Sequence, residues 1–255
     1  MTLERLQPIT LDELVAEAAL LTRVDRKYVL PAKDAAQVLA RLPEDTRVLT
    51  IDGATSFEYE SFYFDTPDLL SYRMAALGRR RRFKLRTRSY VDSEDSFLEM
   101  KTRGARSATV KDRIEYLFDE RETLTREGRA YVEESLLGLG FEHPDQLELV
   151  PTLATRYRRT TLLLPATGSR ATVDTDLSWQ LADGTTLALP ELTIIETKSG
   201  QRTGEVDRLL WAAAHRPSTI SKYGTGLAAL RDDLPSNKWA RVLRRHFRPD
   251  AAIAA

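Results

Sequence analysis

Arg79-Arg80-Arg81-Arg82-Phe83-Lys84-Leu85-Arg86-Thr87-Arg88-Ser89-Tyr90 is the stretch on which the reading of the fold turns. Side chains on a strand alternate faces with period two, so Lys84, Arg86, Arg88 and Tyr90 share one face while Phe83 and Leu85 take the other. The pattern recurs in Phe97-Leu98-Glu99-Met100-Lys101-Thr102, where Glu99 and Lys101 oppose Leu98 and Met100. It returns in Lys111-Asp112-Arg113-Ile114-Glu115-Tyr116. An ordinary half-buried strand turns mixed polar residues to water, whereas these repeat cations with an occasional carboxylate. If such strands close into a barrel, their charged faces line its interior, where like charges repel unless an anion sits among them. The sequence describes a sheet built to surround a polyanion.

Outside these strands the chain is balanced. Its 255 residues carry 38 basic and 38 acidic side chains, a formal charge of +0. A polycation that holds nucleic acid by bulk electrostatics is thereby disfavoured. With no cysteine there are no disulfides and no thiolate chemistry, which fits a reducing compartment. Neither a signal sequence nor an apolar run of spanning length occurs, and the expectation is a soluble cytoplasmic protein. The length suits one domain over residues 1–255, with a core at about 20–232 and a basic C-terminal helix at about 235–248.

Thr10 with Glu13 three residues on predicts a capped helix carrying Leu11, Leu14, Val15 and Ala18 at helical spacing. A strand from Arg23 to Leu30 follows, with Arg26 breaking its apolar side, and then a helix from Pro31 towards Pro43. Tyr59 to Phe64 forms an aromatic strand closed by the turn Asp65-Thr66-Pro67-Asp68. Leu69 to Ala76 is a short helix, Arg113 to Phe118 a strand, and Arg121 to Leu139 a helix stopped by Gly138 and Gly140. Strands are expected at Thr152–Leu164, Arg170–Trp179 and Glu191–Lys198, the last two joined through Ala182-Asp183-Gly184. A helix from Ser236 to Phe247 ends the fold, and the alanine-rich tail after Pro249 frays. This order predicts an α+β protein, an antiparallel barrel or tunnel with flanking helices, rather than a doubly wound sheet.

No phosphate loop or serine-hydrolase signature occurs. Gly224 and Gly226 are too few for a dinucleotide fingerprint and are expected to be turn glycines. His143, His215 and His246 lack metal-ligand spacing. What remains is cations and carboxylates on shared strand faces. Phosphoryl transfer asks for this combination, since positioned cations neutralise phosphate oxygens and one or two carboxylates hold a bridging divalent metal. Arg86 and Arg88 offer planar forks, Lys101, Lys111 and Lys198 point charges, and Glu99, Glu115 and Glu196 are the candidate metal ligands. The alternative is a solvated charged face whose ion pairs contribute less than about 1 kcal/mol each. Recurrence of cations over several strands, with few Ser, Thr, Gln or Asn between them, weighs against it.

Eight segments occur in the order of a known family: Arg26-Lys27-Tyr28, Tyr63-Phe64-Asp65-Thr66-Pro67, Lys84-Leu85-Arg86-Thr87-Arg88, Phe97-Leu98-Glu99-Met100-Lys101, Tyr157-Arg158-Arg159-Thr160, Asp174-Thr175-Asp176-Leu177, Ile195-Glu196-Thr197-Lys198 and Ser221-Lys222-Tyr223. In this order the chain resembles the VTC polyphosphate polymerase domain, one of the triphosphate tunnel metalloenzymes related to the CYTH proteins, over about residues 20–232. The resemblance implies an eight-stranded antiparallel tunnel with a basic interior. It implies that Lys27, Arg86, Arg88, Lys101, Lys111, Arg159, Arg170, Lys198 and Lys222 are the tunnel cations and that Tyr157 and Ser221 add hydrogen bonds. Glu196 is then the metal-binding glutamate, with Glu99 as a second candidate, and Arg86, Arg88, Lys101 and Glu196 form the catalytic set. ATP and polyphosphate or triphosphate are the implied ligands, with Mn or Mg as cofactor.

Two departures qualify the resemblance. CYTH enzymes open on Glu-x-Glu-x-Lys, whereas Arg23-Val24-Asp25-Arg26-Lys27 keeps one acidic position, Asp25, which favours the VTC branch. The eukaryotic polymerases also carry an SPX domain and membrane helices; translocation of product by this chain would need a separate membrane partner. The expected activity is an ATP-dependent polyphosphate polymerase. A hydrolase of tripolyphosphate or nucleoside triphosphates on the same scaffold, and a non-catalytic binder of polyphosphate or nucleic acid, are the alternatives. Glu99, Glu115 and Glu196 argue against the binder, because carboxylates weaken anion binding unless a metal bridges them.

Overall fold

The computed structural model describes residues 5–17, 24–103 and 109–247. Ala18, Arg23 and the tail after Pro249 lie outside them. The chain runs β1 (Gln7–Ile9), α1 (Leu11–Glu17), β2 (Val24–Pro31), α2 (Ala32–Leu39), β3 (Arg47–Leu49), β4 (Phe57–Asp65), α3 (Leu70–Ala76), β5 (Arg82–Tyr90), β6 (Asp95–Arg103) and β7 (Thr109–Tyr116). It continues through α4 (Arg126–Leu139), β8 (Val150–Leu164), β9 (Ser169–Leu181), β10 (Thr186–Leu189), β11 (Leu192–Ser199), α5 (Glu205–Ala212), α6 (Lys222–Leu230) and α7 (Ala240–Val242). Two compact units result. The first holds the chain up to Glu58, Tyr157–Leu177 and Ala188–Thr219; the second holds Tyr59–Arg156, Ser178–Leu187 and the chain from Ile220.

In the first unit β2 pairs antiparallel with β11, and β11 with β9. β1 and β3 form a short parallel pair, with β3 antiparallel to β8. Period-two alternation sends Tyr28, Leu30, Ala171, Val173 and Ile195 to one side, where they bury against Val38 and Leu39 of α2 and Val206 and Leu210 of α5. The opposite side keeps Lys27, Glu196, Lys198 and Arg170. Thr10 and Glu13 cap α1 reciprocally: the Thr10 amide donates to Glu13 Oε2 at 2.9 Å and the Glu13 amide to Thr10 Oγ1 at 3.3 Å. Arg26, which interrupts the apolar side of β2 in the sequence, is explained by Asp207. That fully buried carboxylate of α5 accepts hydrogen bonds from Arg26 (3.3 Å), Tyr28 (2.7 Å), Thr197 (2.6 Å) and the Gly204 amide (3.2 Å).

In the second unit β4, β5, β6 and β7 form an antiparallel meander. Phe62, Phe64, Phe83, Leu85, Leu98 and Met100 project from one face onto Val132, Leu136 and Leu139 of α4. Asp65, at the end of β4, fixes the turn into α3 by accepting from the amides of Thr66 (2.8 Å), Ser71 (2.8 Å) and Tyr72 (2.9 Å). Gly224 and Gly226 are not turn residues. They lie inside α6, where a Cβ would collide with Trp239 and Trp179 respectively, so their absent side chains set how closely the helix approaches two buried indoles.

The α+β class, the antiparallel sheet and the flanking helices are as expected; the closed eight-stranded barrel is not. Among the described residues there are eleven strands, β2 pairs with β11 alone and β7 with β6 alone, so the ladder is open. Lys111, Asp112 and Arg113 expose charge on both faces of β7, which suits an edge strand and discourages a further partner. The helix expected from Arg121 begins at Arg126, capped by Thr125 and preceded by a 3-10 turn at Phe118–Glu120. The single helix expected over Ser236–Phe247 is broken into a 3-10 turn, α7 and a π-helical turn at Leu243–Phe247.

Candidate functional site

The charged face of the second unit is ordered in rows. Register sets Lys84, Lys101 and Lys111 directly opposite one another on β5, β6 and β7, with Arg86, Glu99 and Arg113 in the next row and Arg88, Phe97 and Glu115 beyond it. Arg82 and Arg103 form the row on the other side of the lysines. Like charges directly opposite on neighbouring strands repel, and this row gathers three ammonium groups on one face. The arginines are treated differently. Glu99 Oε2 accepts from Arg86 Nε at 2.9 Å and Nη2 at 2.8 Å, and Oε1 accepts from Arg88 Nη2. Burial pushes the Glu99 carboxyl up, but the adjacent guanidinium groups of Arg86 and Arg88 hold it below the usual carboxylate range. Glu99 is therefore ionised and locks the two forks in place.

The family-like segments around this face position it. Arg86 Nη1 donates to Tyr63 Oη at 3.2 Å, and Tyr63 stacks on Tyr223 with centroids 4.9 Å apart. Tyr223 in turn donates to Asp65, whose pKa is raised by burial against these hydrogen bonds. Ser221 caps α6, its Oγ accepting from the Gly224 amide at 3.2 Å and from Lys84 Nζ at 2.9 Å. Lys222 opens α6, and its carbonyl accepts from Trp179 Nε1 at 2.9 Å. Arg86, Arg88, Lys101, Lys111, Ser221 and Lys222 thus belong to one unit.

The first unit holds the other candidates. Lys27 stands opposite Glu196, and Lys198 opposite Arg170. Glu196 lies between two ammonium groups, 3.4 Å from Lys27 Nζ and 3.7 Å from Lys198 Nζ. Arg159 grips the buried Asp174 with both arms of its fork, at 2.6 and 2.9 Å, and its guanidinium carbon is 5.2 Å from the Tyr157 ring centre. Asp174 was present in the sequence as a strand carboxylate in step with Arg170 and Thr172; its clamp on Arg159 had no local signal. The contacts of Tyr63 and Lys84 were equally hidden, because Tyr223 and Ser221 are far away in sequence.

The two proposed metal ligands differ in fitness. Both oxygens of Glu99 are committed to arginines, so it does not fit a metal. Glu196 offers a hard carboxylate flanked by lysines, and a Mg-like ion held by one or two carboxylates takes its remaining ligands from phosphates and water. Glu196 fits that donor set. Among the described residues no group of three or more His, Asp or Glu side chains is placed to hold an ion by protein alone.

With this geometry in hand, the comparisons place the chain. It matches the VTC domain over residues 22–231, and it belongs to that family. No curated protein matches it. Among solved structures it is similar to HpAC1 from Hippeastrum, described as a proposed adenylyl cyclase with a dominant triphosphatase activity: 16% identity, 85% of this chain and 99% of that one, TM-score 0.45. It is also similar to a conserved hypothetical protein from Pyrococcus furiosus, at 13% identity over 76% of this chain and 88% of that one, TM-score 0.39. The PH1012 protein from Pyrococcus horikoshii gives 13% identity over the same shares, TM-score 0.36.

Proposed function

We propose that the chain is an ATP-dependent polyphosphate polymerase. The observation that carries this reading is the row Lys84–Lys101–Lys111 beside the Glu99-locked forks of Arg86 and Arg88, and membership of the VTC family supports it. In the reaction a terminal oxygen of the growing chain attacks the γ-phosphorus of ATP, the bond to the β–γ bridging oxygen breaks, and ADP leaves. Charge then spreads over the transferred group's equatorial oxygens, so the protein's work is positioning and neutralisation. Arg86 and Arg88 present planar forks to phosphate oxygens, while the lysines supply point charges along the chain. In the first unit Lys27 and Lys198 neutralise phosphate next to Glu196. A Mn or Mg ion on Glu196 would supply Lewis-acid stabilisation of the phosphate oxygens when bound.

Incubating purified protein with ATP and Mn or Mg, and separating ADP, phosphate and polyphosphate, tests the reading. ADP with long-chain product is expected. ADP with free phosphate would make the protein a hydrolase, and tight polyphosphate binding without turnover a binder. In the same assay Glu196→Gln should lower turnover at least about a hundredfold, the scale of losing one preorganised electrostatic group, while polyphosphate binding without metal is kept. Near-normal turnover would remove Glu196 from the reaction.

A further inference from the structure

The cation rows of the second unit do not stop at the residues that the reaction needs. One row beyond Lys84–Lys101–Lys111, Arg82 and Arg103 stand opposite each other across β5 and β6. Lys238 Nζ donates to Ala75 O at 2.5 Å, and the pKa of Lys238 is pushed down by burial and then by the charges of Arg82 and Arg103. Arg103 Nε is buried with no hydrogen-bond partner among the described residues, while Arg82 Nη1 donates to Arg79 O at 2.7 Å. That bond leads into Arg79, Arg80 and Arg81, all exposed. Among the described residues no carboxylate is ion-paired with any of these six cations, in contrast to Arg86 and Arg88, which share Glu99. Two arginines set opposite each other, one with a buried donor left unused among the described residues, and a lysine whose charge they oppose make a place for an anion rather than a solvated surface.

The spacing tells which anion. A strand advances about 3.3 Å per residue, so the six steps from Arg88 to Arg82 cover roughly 20 Å. Three linked phosphates do not reach across that length, whereas a longer chain laid along β5 meets a cation row every second residue. We propose that Arg82, Arg103 and Lys238, with the exposed Arg79–Arg81 run beside them, form a distal site for the far phosphates of a long polyphosphate chain whose near end lies on the Arg86 and Lys84 rows. The proposal rests on reading that face as a phosphoanhydride site, and it makes the unit a binder of long chains in preference to triphosphate.

The test compares tripolyphosphate with long-chain polyphosphate by calorimetric titration of the full chain. Two variants are used: Arg82→Gln/Arg103→Gln/Lys238→Gln, and the surface set Arg79→Gln/Arg80→Gln/Arg81→Gln, which removes only exposed charge. Both should weaken long-chain binding, the first by at least about tenfold, as for the loss of a charge-assisted hydrogen bond. Tripolyphosphate affinity should stay as in the parent. If the parent binds both ligands and the two variants leave long-chain affinity unchanged, or if both ligands weaken equally, the distal site is overturned while the phosphate-binding face stands. If the parent binds neither ligand, the polymerase reading itself falls and the distal site falls with it.

Discussion

At the scale of single residues, Glu99 shows how alternation finds a carboxylate in a basic face without finding its partners. Alternation places it correctly beside Lys101, and its company of cations suggests a metal ligand. In the structure its oxygens accept from Arg86 and Arg88. Arg26 is the complementary case: it interrupts an apolar pattern and yet is usefully placed while half-buried, because the buried Asp207 arrives from α5 to meet it. No local pattern announces either partner. Glu99→Gln should cost about 2 kcal/mol at neutral pH, the scale of a hydrogen bond to a charged group, and phosphate should recover part of it by replacing the lost charge. The sign with pH follows from the depressed Glu99 pKa. A carboxyl lowered in the folded state contributes stability above its unfolded value, near 4.5, and loses it as pH falls through the lower folded value. Urea unfolding of parent and variant should therefore differ at neutral pH and converge in acid; a constant gap would show that the Glu99 charge does not stabilise the arginine pair.

At the scale of elements, long patterned strands were legible and short ones were not. β5 and β6 alternate over nine residues each, enough to fix both faces. β1 and β3 have three residues each, too few for alternation to register, and are held by pairing, β1 with β3 and β3 also with β8. Helix α6 was hidden by its own glycines, which suggest a turn until Trp179 and Trp239 are seen against them. This gives opposite expectations for one substitution in two helices. Gly226→Ala inserts a methyl against Trp179 and should destabilise by about 1–3 kcal/mol, the usual cost of overpacking. It should also weaken phosphate binding through Ser221 at the head of α6. Gly138→Ala in α4 meets nothing within 4 Å and should stabilise by about 0.5–1 kcal/mol, the helix-interior difference between the two residues. Equal effects in thermal melts of the two variants would refute the account of α6.

At the scale of the whole molecule, the sequence shows the long strands but not the end of their pairing. Whether a ladder closes depends on the pairing of its terminal strands; β2 carries no sign of its missing second partner in its own alternation, and β7 carries one only in the charge that Lys111, Asp112 and Arg113 put on both its faces. Charge is the global property that the sequence does state, and it bears on selectivity. With 38 basic and 38 acidic residues the protein has no net charge to draw in polyanions in general. Non-specific DNA binding depends on neutralising many phosphates at once and falls steeply with salt. The cations here lie instead in rows two residues apart along strands, a spacing that suits a thin, flexible chain of phosphates. Double-stranded DNA, present in excess of phosphate at near-physiological salt, should therefore fail to displace bound long-chain polyphosphate, while tripolyphosphate should displace it only from the Lys84 and Arg86 rows. Fluorescence anisotropy of end-labelled polyphosphate with each competitor reads this directly. Displacement by DNA at matched phosphate concentration would mean that bulk electrostatics, and not the registered rows, provides the affinity.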